Sequence, residues 1–159
     1  MDQESRITGE WQSLPAMMLR LAATWPNRVL ARHWQGGAWR ETLWGDFAVQ
    51  VAQAASGLRA LGVMPGDRVM LVSENRPEFM IADNAIMAIG AITVPTYTTN
   101  TLADHAHVLR DCGARVVIVS QRALAERVSQ AAAGVAGLDA LICMDAAPPS
   151  AAGSRAVLW

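Results

Sequence analysis

The chain has 159 residues, with 13 Lys and Arg against 14 Asp and Glu and a formal net charge of −1. This length suffices for one domain with a core or for a part of a larger domain. The near-neutral charge disfavours nucleic acid or an anionic membrane as the primary ligand, because neither would meet a basic field. A hydrophobic content of 52% excludes wholesale disorder.

The cysteines and the apolar runs bear on the cellular setting. Cys112 and Cys143 lie outside any C-x-x-C motif or Cys/His cluster, so we expect a reduced, cytoplasmic protein without a bound metal. The first residues mix acids and a base before any apolar run, unlike a signal peptide. The longest nearly apolar window, residues 85–95, is too short to span a hydrocarbon layer of about 30 Å. Peripheral association with the inner membrane is left open.

The first predicted elements are a helix and a hairpin. Apolar residues spaced three and four apart predict an amphipathic helix over residues 14–25. Residues 29–34 and 38–44 are β-inclined runs on either side of Gln35-Gly36-Gly37, which predicts a hairpin with a three-residue loop.

Three tryptophans, Trp34, Trp39 and Trp44, fall within this hairpin. We expect them to cover one of its faces. A tryptophan stripe could stack a nucleotide or a sugar, but packing against the neighbouring helix is the favoured interpretation, since large aromatic side chains mostly serve burial.

From residue 46 onward, predicted helices alternate with predicted strands. The helices run from residue 46 to 61, from Pro77 to a stop at Gly90, from a Thr101 cap to Gly113, and from a Ser120 cap to Gly134. The strands are 68–72, 92–94, 116–119 and 140–144. The order from Arg68 onward, β-α-β-α-β-α-β, is typical of a mostly parallel α/β sheet with helices on both faces.

Two local details sharpen this prediction. Asp104 follows Thr101 at the spacing of a capping box. Pro95 cannot donate a hydrogen bond to a ladder, so its strand should end there or lie at the edge of the sheet.

The chain lacks the common local signatures of catalysis. It contains no G-x-G-x-x-G, no G-x-x-x-x-G-K-[ST] and no G-x-S-x-G, which disfavours a dinucleotide fingerprint, a P-loop and a serine hydrolase. His105 and His107 on one helix would point about 200° apart, so we expect solvent-facing or locally bonded rings and not metal ligands. His33 is predicted to be half exposed. Asp111 beside Cys112 disfavours a reactive thiolate.

Acidic side chains cluster where the predicted strand 68–72 leads into the predicted helix that begins at Pro77. Glu74 and Asn75 follow a predicted strand, where open α/β sheets usually bind ligands, and Glu78 and Asp83 come soon after. Helix capping is the favoured role for these carboxylates. No catalytic, cofactor-binding or metal-ligating residue is assigned in this chain.

Two stretches nevertheless resemble a known family. Residues 58–101 and 109–120 are similar to the N-terminal region of the AMP-forming adenylate synthetases, the superfamily of acyl-CoA ligases, luciferases and adenylation domains. Trp44-Gly45-Asp46-Phe47 takes the place of the family's Thr-Tyr-x-Glu-Leu-like motif, and Gly90-Ala91-Ile92-Thr93-Val94-Pro95 matches a second motif. The continuation Pro95-Thr96-Tyr97-Thr98-Thr99 resembles the long-chain fatty acid branch.

The resemblance covers about residues 14–145 and implies an N-terminal subdomain, residues 1–145, followed by a linker and the start of a truncated continuation, residues 146–159. It implies a fatty acid–CoA ligase that uses ATP, Mg²⁺ and CoA; a homo-oligomer is left open. The family's lysine-bearing phosphate loop, adenine and magnesium segment, ribose-binding aspartate and catalytic lysine have no counterpart in these residues. We therefore expect an inactive scaffold that binds none of these cofactors by itself.

Two other readings stay open at this stage. The chain could be a stand-alone, non-catalytic α/β module that assembles with a partner chain, since unpaired strand edges invite pairing. A flavodoxin-like or response-regulator-like domain is weaker, because the first strand end lacks an acidic pocket and the hairpin is left unexplained.

Overall fold

The computed structural model describes residues 11–135, 137–149 and 154–159. Predictions for the first ten residues and for residues 150–153 lie outside this part of the chain. The helices are α1 (Leu14–Thr24), α2 (Trp44–Ala60), α3 (Pro77–Ala88), α4 (Leu102–Cys112) and α5 (Arg122–Ala132). The strands are β1 (Val29–Gln35), β2 (Ala38–Leu43), β3 (Arg68–Val72), β4 (Ile92–Thr96), β5 (Val116–Val119), β6 (Ala140–Cys143) and β7 (Arg155–Leu158).

Five of the strands form one parallel sheet in the order β4-β3-β5-β6-β7. From β3 the chain moves outward to β4 and then returns to place β5 on the other side of β3. Pro95 lies in β4, at the edge of this sheet, where its missing N–H leaves no ladder bond unmade. The α/β fold predicted from the sequence is confirmed.

Helices cover both faces of the sheet, as predicted. Val69 and Leu71 of β3 point to the face covered by α2 and α3, while Met70 and Val72 point to the face covered by α4 and α5. Both sets are fully buried, which explains why the central strands are continuous apolar runs and do not alternate. Helix α1 packs outside, against α2 and α3.

The hairpin loop is one residue shorter than predicted. Gln35 pairs with Ala38, so only Gly36 and Gly37 connect β1 to β2. Their φ angles are +60° and +79°, and two successive left-handed residues make the tight turn whose twist matches that of the flanking strands. The three-residue loop was wrong because Gln35 continues the strand.

The tryptophans do not cover a helix as expected. Trp34 and Trp39 are 62% and 64% exposed, and Trp44 belongs to the first turn of α2, where it lies edge-on to Phe47 with the ring centroids 6.4 Å apart. The opposite face of the hairpin turns towards the body, with His33 half-buried, as predicted, and Thr42 buried. Packing against the neighbouring helix was therefore wrong for Trp34 and Trp39.

Local capping signals had mixed outcomes. Thr101 and Asp104 form both hydrogen bonds of a capping box, and Gly90 and Gly113 adopt left-handed conformations at the ends of α3 and α4. Ser120 does not cap α5: Gln121 takes the N-cap position without a side-chain capping hydrogen bond, and Ser120 is buried.

The end of the described chain joins the sheet. Strand β7 pairs in parallel with β6, with Val157 opposite Ile142, and the Arg155 guanidinium donates to the Leu61 carbonyl at 2.7 Å. The continuation predicted to start after a linker thus contains β7, the fifth strand of the parallel sheet. The division of the chain at residue 145 stays a prediction. Within the described ranges, no helix is long and apolar enough to cross a membrane.

Candidate functional site

The carboxyl edge of the parallel sheet is the candidate position for a functional site. Strands β4 and β5 lie on opposite sides of β3, so the connections that leave β3 and β5 diverge and open a crevice, the usual ligand position in open α/β sheets. Six polar residues lie at this edge, and we call them the carboxyl-edge cluster: Glu74, Arg76, Glu78, Ser120, Gln121 and Asp145.

Glu74 closes the crevice between β3 and β5. The Gln121 side-chain amide donates to its carboxylate at 3.0 Å, which links the two strand ends. Burial raises the pKa of Glu74, but the nearby Ser120 hydroxyl, hydrogen bonds from its own backbone N–H and from Gln121, and the charge of Arg76 outweigh burial and lower that pKa. The carboxylate is therefore ionised and already engaged at neutral pH.

Arg76 is the centre of the cluster. Its two terminal nitrogens donate to the two Asp145 oxygens at 2.9 and 3.1 Å, and its Nε donates to Glu78 at 2.7 Å. These hydrogen bonds raise the pKa of Arg76, and its side chain is only 25% exposed. Bidentate pairing of this kind fixes orientation as well as charge, so Arg76 ties the loop after β3 to the loop after β6.

Glu78 lies in the first turn of α3. Burial raises its pKa, whereas hydrogen bonds from Arg76 and its own backbone N–H, together with the charges of Arg76 and His33, lower it, and the net shift is downward. The backbone bond at a helix start agrees with the predicted capping role. Glu74, in contrast, binds a neighbouring strand end.

The sequence had pointed to this edge through Glu74 and Glu78 but had missed Arg76, Gln121 and Asp145. Arg76 and Asp145 are 69 residues apart, so no local pattern joins them. A usable signal was available, because charged or amide residues follow three of the predicted strands, and the carboxyl ends of parallel strands meet at one edge.

The chemistry of the cluster does not fit a nucleotide or its magnesium ion. Three carboxylates against one guanidinium give a formal charge of −2, which repels a triphosphate, and the guanidinium is already held by two carboxylates. Among the described residues, no group of three His, Cys, Asp or Glu side chains is arranged to hold a metal. Stabilising charge at an α-phosphate needs cationic groups directed at it; this cluster instead braces the loops.

The histidine pair splits between surface and core. His107 is exposed, whereas His105 has no exposed surface, and neither of its ring nitrogens has a hydrogen-bond partner. Burial and the charge of Arg127 lower the pKa of His105, against the opposing charge of Asp104. The expectation of a solvent-facing or locally bonded ring was thus wrong for His105.

Both cysteines serve the fold. The backbone carbonyl of Cys112 accepts a hydrogen bond from Arg68 Nε at 2.7 Å, and Cys143 is buried in β6.

An apolar groove of about 460 Å³ lies between α2 and the ends of β6 and β7. Its described lining residues are uncharged, and two glutamines, Gln50 and Gln53, are the most polar of them. The groove borders β7, which is an edge strand among the described residues.

Comparison with known proteins places these features in context. The chain matches the AMP-binding enzyme family over residues 19–156. It is 34% identical to the long-chain-fatty-acid–CoA ligase FadD15 of Mycobacterium tuberculosis over 143 residues, which cover 90% of this chain and 24% of that protein. A feruloyl-CoA synthase of an Amycolatopsis species is 35% identical over 123 residues, 77% of this chain and 24% of that protein.

Solved structures give the same picture. A benzoate CoA ligase from Burkholderia xenovorans LB400 superposes with a TM-score of 0.73 at 28% identity, over 82% of this chain and 25% of that one. The chain spans about a quarter of the length of these relatives.

Proposed function

Since this chain belongs to the AMP-binding, adenylate-forming enzymes, we propose that it is the N-terminal part of a long-chain fatty acyl-CoA synthetase. In the whole reaction a fatty acid carboxylate attacks the α-phosphate of ATP, giving an acyl-adenylate and pyrophosphate. The CoA thiolate then attacks the acyl carbon and AMP leaves. The observation that carries the proposal is the 34% identity over 143 residues with a long-chain ligase.

The long-chain substrate rests on a short segment as well. Pro95 to Thr99 follows the branch pattern of the fatty acid ligases, and this segment ends β4 at the carboxyl edge of the sheet. Relatives named for ferulate and benzoate are also similar, so the substrate class needs a direct comparison.

The role we propose for these residues is scaffold. The central strands of the sheet are buried on both faces, and the carboxyl-edge cluster uses its only guanidinium to brace two loops. We therefore expect that the isolated 159-residue chain neither binds ATP tightly nor forms an acyl-adenylate. Pyrophosphate exchange with palmitate by the purified chain is the measurement; detectable exchange would overturn the scaffold role.

The coding sequence tests the larger proposal. We expect an in-frame phosphate loop rich in Ser, Thr and Gly, with a lysine, a few tens of residues after codon 159. A stop codon directly after position 159 would count against it. If the frame continues, the extended protein should release AMP with palmitate and CoA faster than with ferulate or benzoate; a preference for an aromatic acid would keep the family role and reject the long-chain branch.

A second candidate function is a non-catalytic module that pairs with another chain. The apolar groove beside the edge strand β7 favours it, because exposed edges and apolar grooves are sites of pairing. Size-exclusion chromatography distinguishes the two: a soluble, strictly monomeric, folded chain argues against the module.

A further inference from the structure

His105 lies in the contact between α4 and α5, one turn after the β4–α4 loop, residues 97–101. The proposed function uses neither of them. The ring of His105 has no exposed surface, and neither ring nitrogen has a hydrogen-bond partner among the described residues. Protonation would place a charge and two N–H donors in this unsatisfied position. The buried contact therefore accommodates the neutral ring far better than the protonated one.

Two charged side chains act on His105. Arg127 on α5 disfavours the protonated ring, and Asp104 on α4 favours it. The strands beneath these helices contribute apolar side chains to the same core. Arg68 of β3 lies at the other end of α4, where it donates to the Cys112 carbonyl. The charge balance at His105 is thus set by one cation and one carboxylate.

The same two charged residues hold the β4–α4 loop in place. The Arg127 guanidinium donates to the carbonyl oxygens of Thr98 and Asn100 at 3.0 and 3.4 Å. The Asp104 carboxylate accepts from the backbone N–H and the hydroxyl of Thr101 at 2.9 and 2.8 Å. A proton on the buried ring would repel the guanidinium and attract the carboxylate. It would therefore disturb both side-chain tethers of the loop at once.

We propose that His105 is a pH-sensitive switch: when its ring takes up a proton, the β4–α4 loop separates from α5 while the parallel sheet stays folded. In the open state, water accepts hydrogen bonds from both ring N–H groups. The loop gives way before the sheet because Tyr97 is 80% exposed and the hydrogen bond from the Asn100 N–H to the Tyr97 carbonyl is long, at 3.2 Å. Segments with few buried contacts open at a lower free energy than the core.

The direction of the pH effect follows from the two environments of the ring. Burial and the charge of Arg127 lower the pKa of His105 in the closed state, whereas a hydrated ring in the open state has a pKa of about 6.5. The open state binds the proton more tightly, so acid favours it. Between about pH 7.5 and about pH 5.5, the ratio of open to closed molecules should rise by up to about ten-fold.

Hydrogen exchange of the 159-residue chain is the test. The amides of Asn100, Thr101 and His105 are hydrogen-bonded in the closed state and report on its opening. Their protection, corrected for the intrinsic exchange rate, should fall by up to about ten-fold between the two pH values. Low concentrations of urea should leave it unchanged, because a local opening exposes little surface. The amides of β3 and β5 should be better protected, and urea should lower their protection.

Variants assign the effect to the two side chains. His105→Leu should remove the pH dependence of the loop, while His107→Leu, at an exposed position of the same helix, should keep it. Arg127→Met removes a tether, so it should lower the protection of the loop at the higher pH and reduce the change between the two pH values. Arg122→Met is its matched control: Arg122 is an exposed arginine of α5 that pairs with Glu126, and this variant should behave as the parent does.

Tyr97 gives an independent measurement, because it is the only tyrosine in the chain. Incorporation of 3-fluorotyrosine therefore gives a single fluorine resonance from the loop. The position or width of this resonance should change over the same pH range in the parent. It should not change in the His105→Leu variant.

Any of four results would overturn the proposal. The first is a loop whose protection does not change with pH, and the second is a loop that exchanges only together with β3 and β5. The third is a pH dependence that persists in His105→Leu, and the fourth is an Arg127→Met variant that behaves as the parent does. Arg127 is exposed, so its variant decides the question even if His105→Leu fails to fold. No ATP or acyl substrate enters these experiments, so their outcome is separate from the fate of the proposed function.

Discussion

The hairpin and the parallel sheet contain similar β-inclined residues, but these residues differ in burial. In β3, every residue after Arg68 is buried, because helices cover both faces of that strand. In β1 no residue is fully buried, because only one face of the hairpin turns to the body. A β-inclined apolar sequence therefore does not fix its own burial; the number of covered faces does.

The largest difference between the two regions should appear on truncation. Leu71→Ala in β3 removes a side chain with no exposed surface and should lower the free energy of unfolding by about 3 kcal/mol. Trp34→Ala should lower it by less than about 1 kcal/mol, since most of that ring is already in water. Urea unfolding with unchanged m-values measures both. Equal losses would mean that the hairpin is as integral to the core as the sheet.

Glycine substitutions compare the turns of the two regions. Gly90, after α3, and Gly37, in the hairpin, both have φ of +79°. A Cβ at Gly90 would lie 3.1 Å from the Pro65 Cβ, whereas a Cβ at Gly37 meets nothing within 4 Å. We expect Gly90→Ala to lower the free energy of unfolding by about 2 kcal/mol and Gly37→Ala to lower it by about 1 kcal/mol.

Gly37→Asn is the control for the glycine pair. Asparagine tolerates the left-handed conformation, so this variant should cost less than alanine at the same position. Thermal unfolding gives all three values. A Gly37→Ala variant as stable as the parent would show that the hairpin turn relaxes to another shape.

Ion pairs in the two regions should also differ. Arg76→Ala leaves Glu78 and Asp145 without their partner at a site where the arginine is 25% exposed, and it should cost about 1 to 2 kcal/mol. Arg32→Ala breaks a pair that is 63% and 46% exposed and should cost less than about 0.5 kcal/mol. Chemical denaturation at low and high salt is the measurement. If Arg32→Ala lowered the free energy of unfolding as much as Arg76→Ala, the hairpin ion pair would be better ordered than its exposure implies.

The smallest predicted effect is a loss of folding stability at acidic pH, caused by the buried side chain of His105 on α4. Burial lowers the pKa of His105 below the value of about 6.5 expected in the unfolded chain. The unfolded state then binds more protons, so stability is complete above about pH 6.5 and falls as the pH drops towards the folded pKa. His105→Leu should remove this dependence, and replacement of the exposed His107 should leave it.

Urea midpoints at about pH 8 and about pH 5.5 measure this loss without interference from carboxylates. Glu74, Glu78 and Asp104 also have lowered pKa values, but their contribution is lost only on approach to their unfolded pKa values of about 4. An unchanged midpoint in the parent between the two pH values would contradict the burial of a neutral His105.

Local rules predicted the elements well and the contacts poorly. The capping box at Thr101 and the helix ends at Gly90 and Gly113 depend on neighbours within a few residues, and the structure confirms them. The burial of His105 depends on α5 packing over α4, and the Arg76–Asp145 pair joins residues that are distant in the chain. Neither is encoded in a local pattern.

The sequence by itself determined the alternation of strands and helices, the restriction of Pro95 to a strand end or a sheet edge, and the family, because these follow from periodicity, backbone stereochemistry and short motifs. Only the tertiary structure decided that Trp34 and Trp39 face outward, that His105 is buried without partners, and that Arg76 braces the carboxyl edge. The physical reason is coverage: an element has faces, and which of them meets water depends on the elements packed against it.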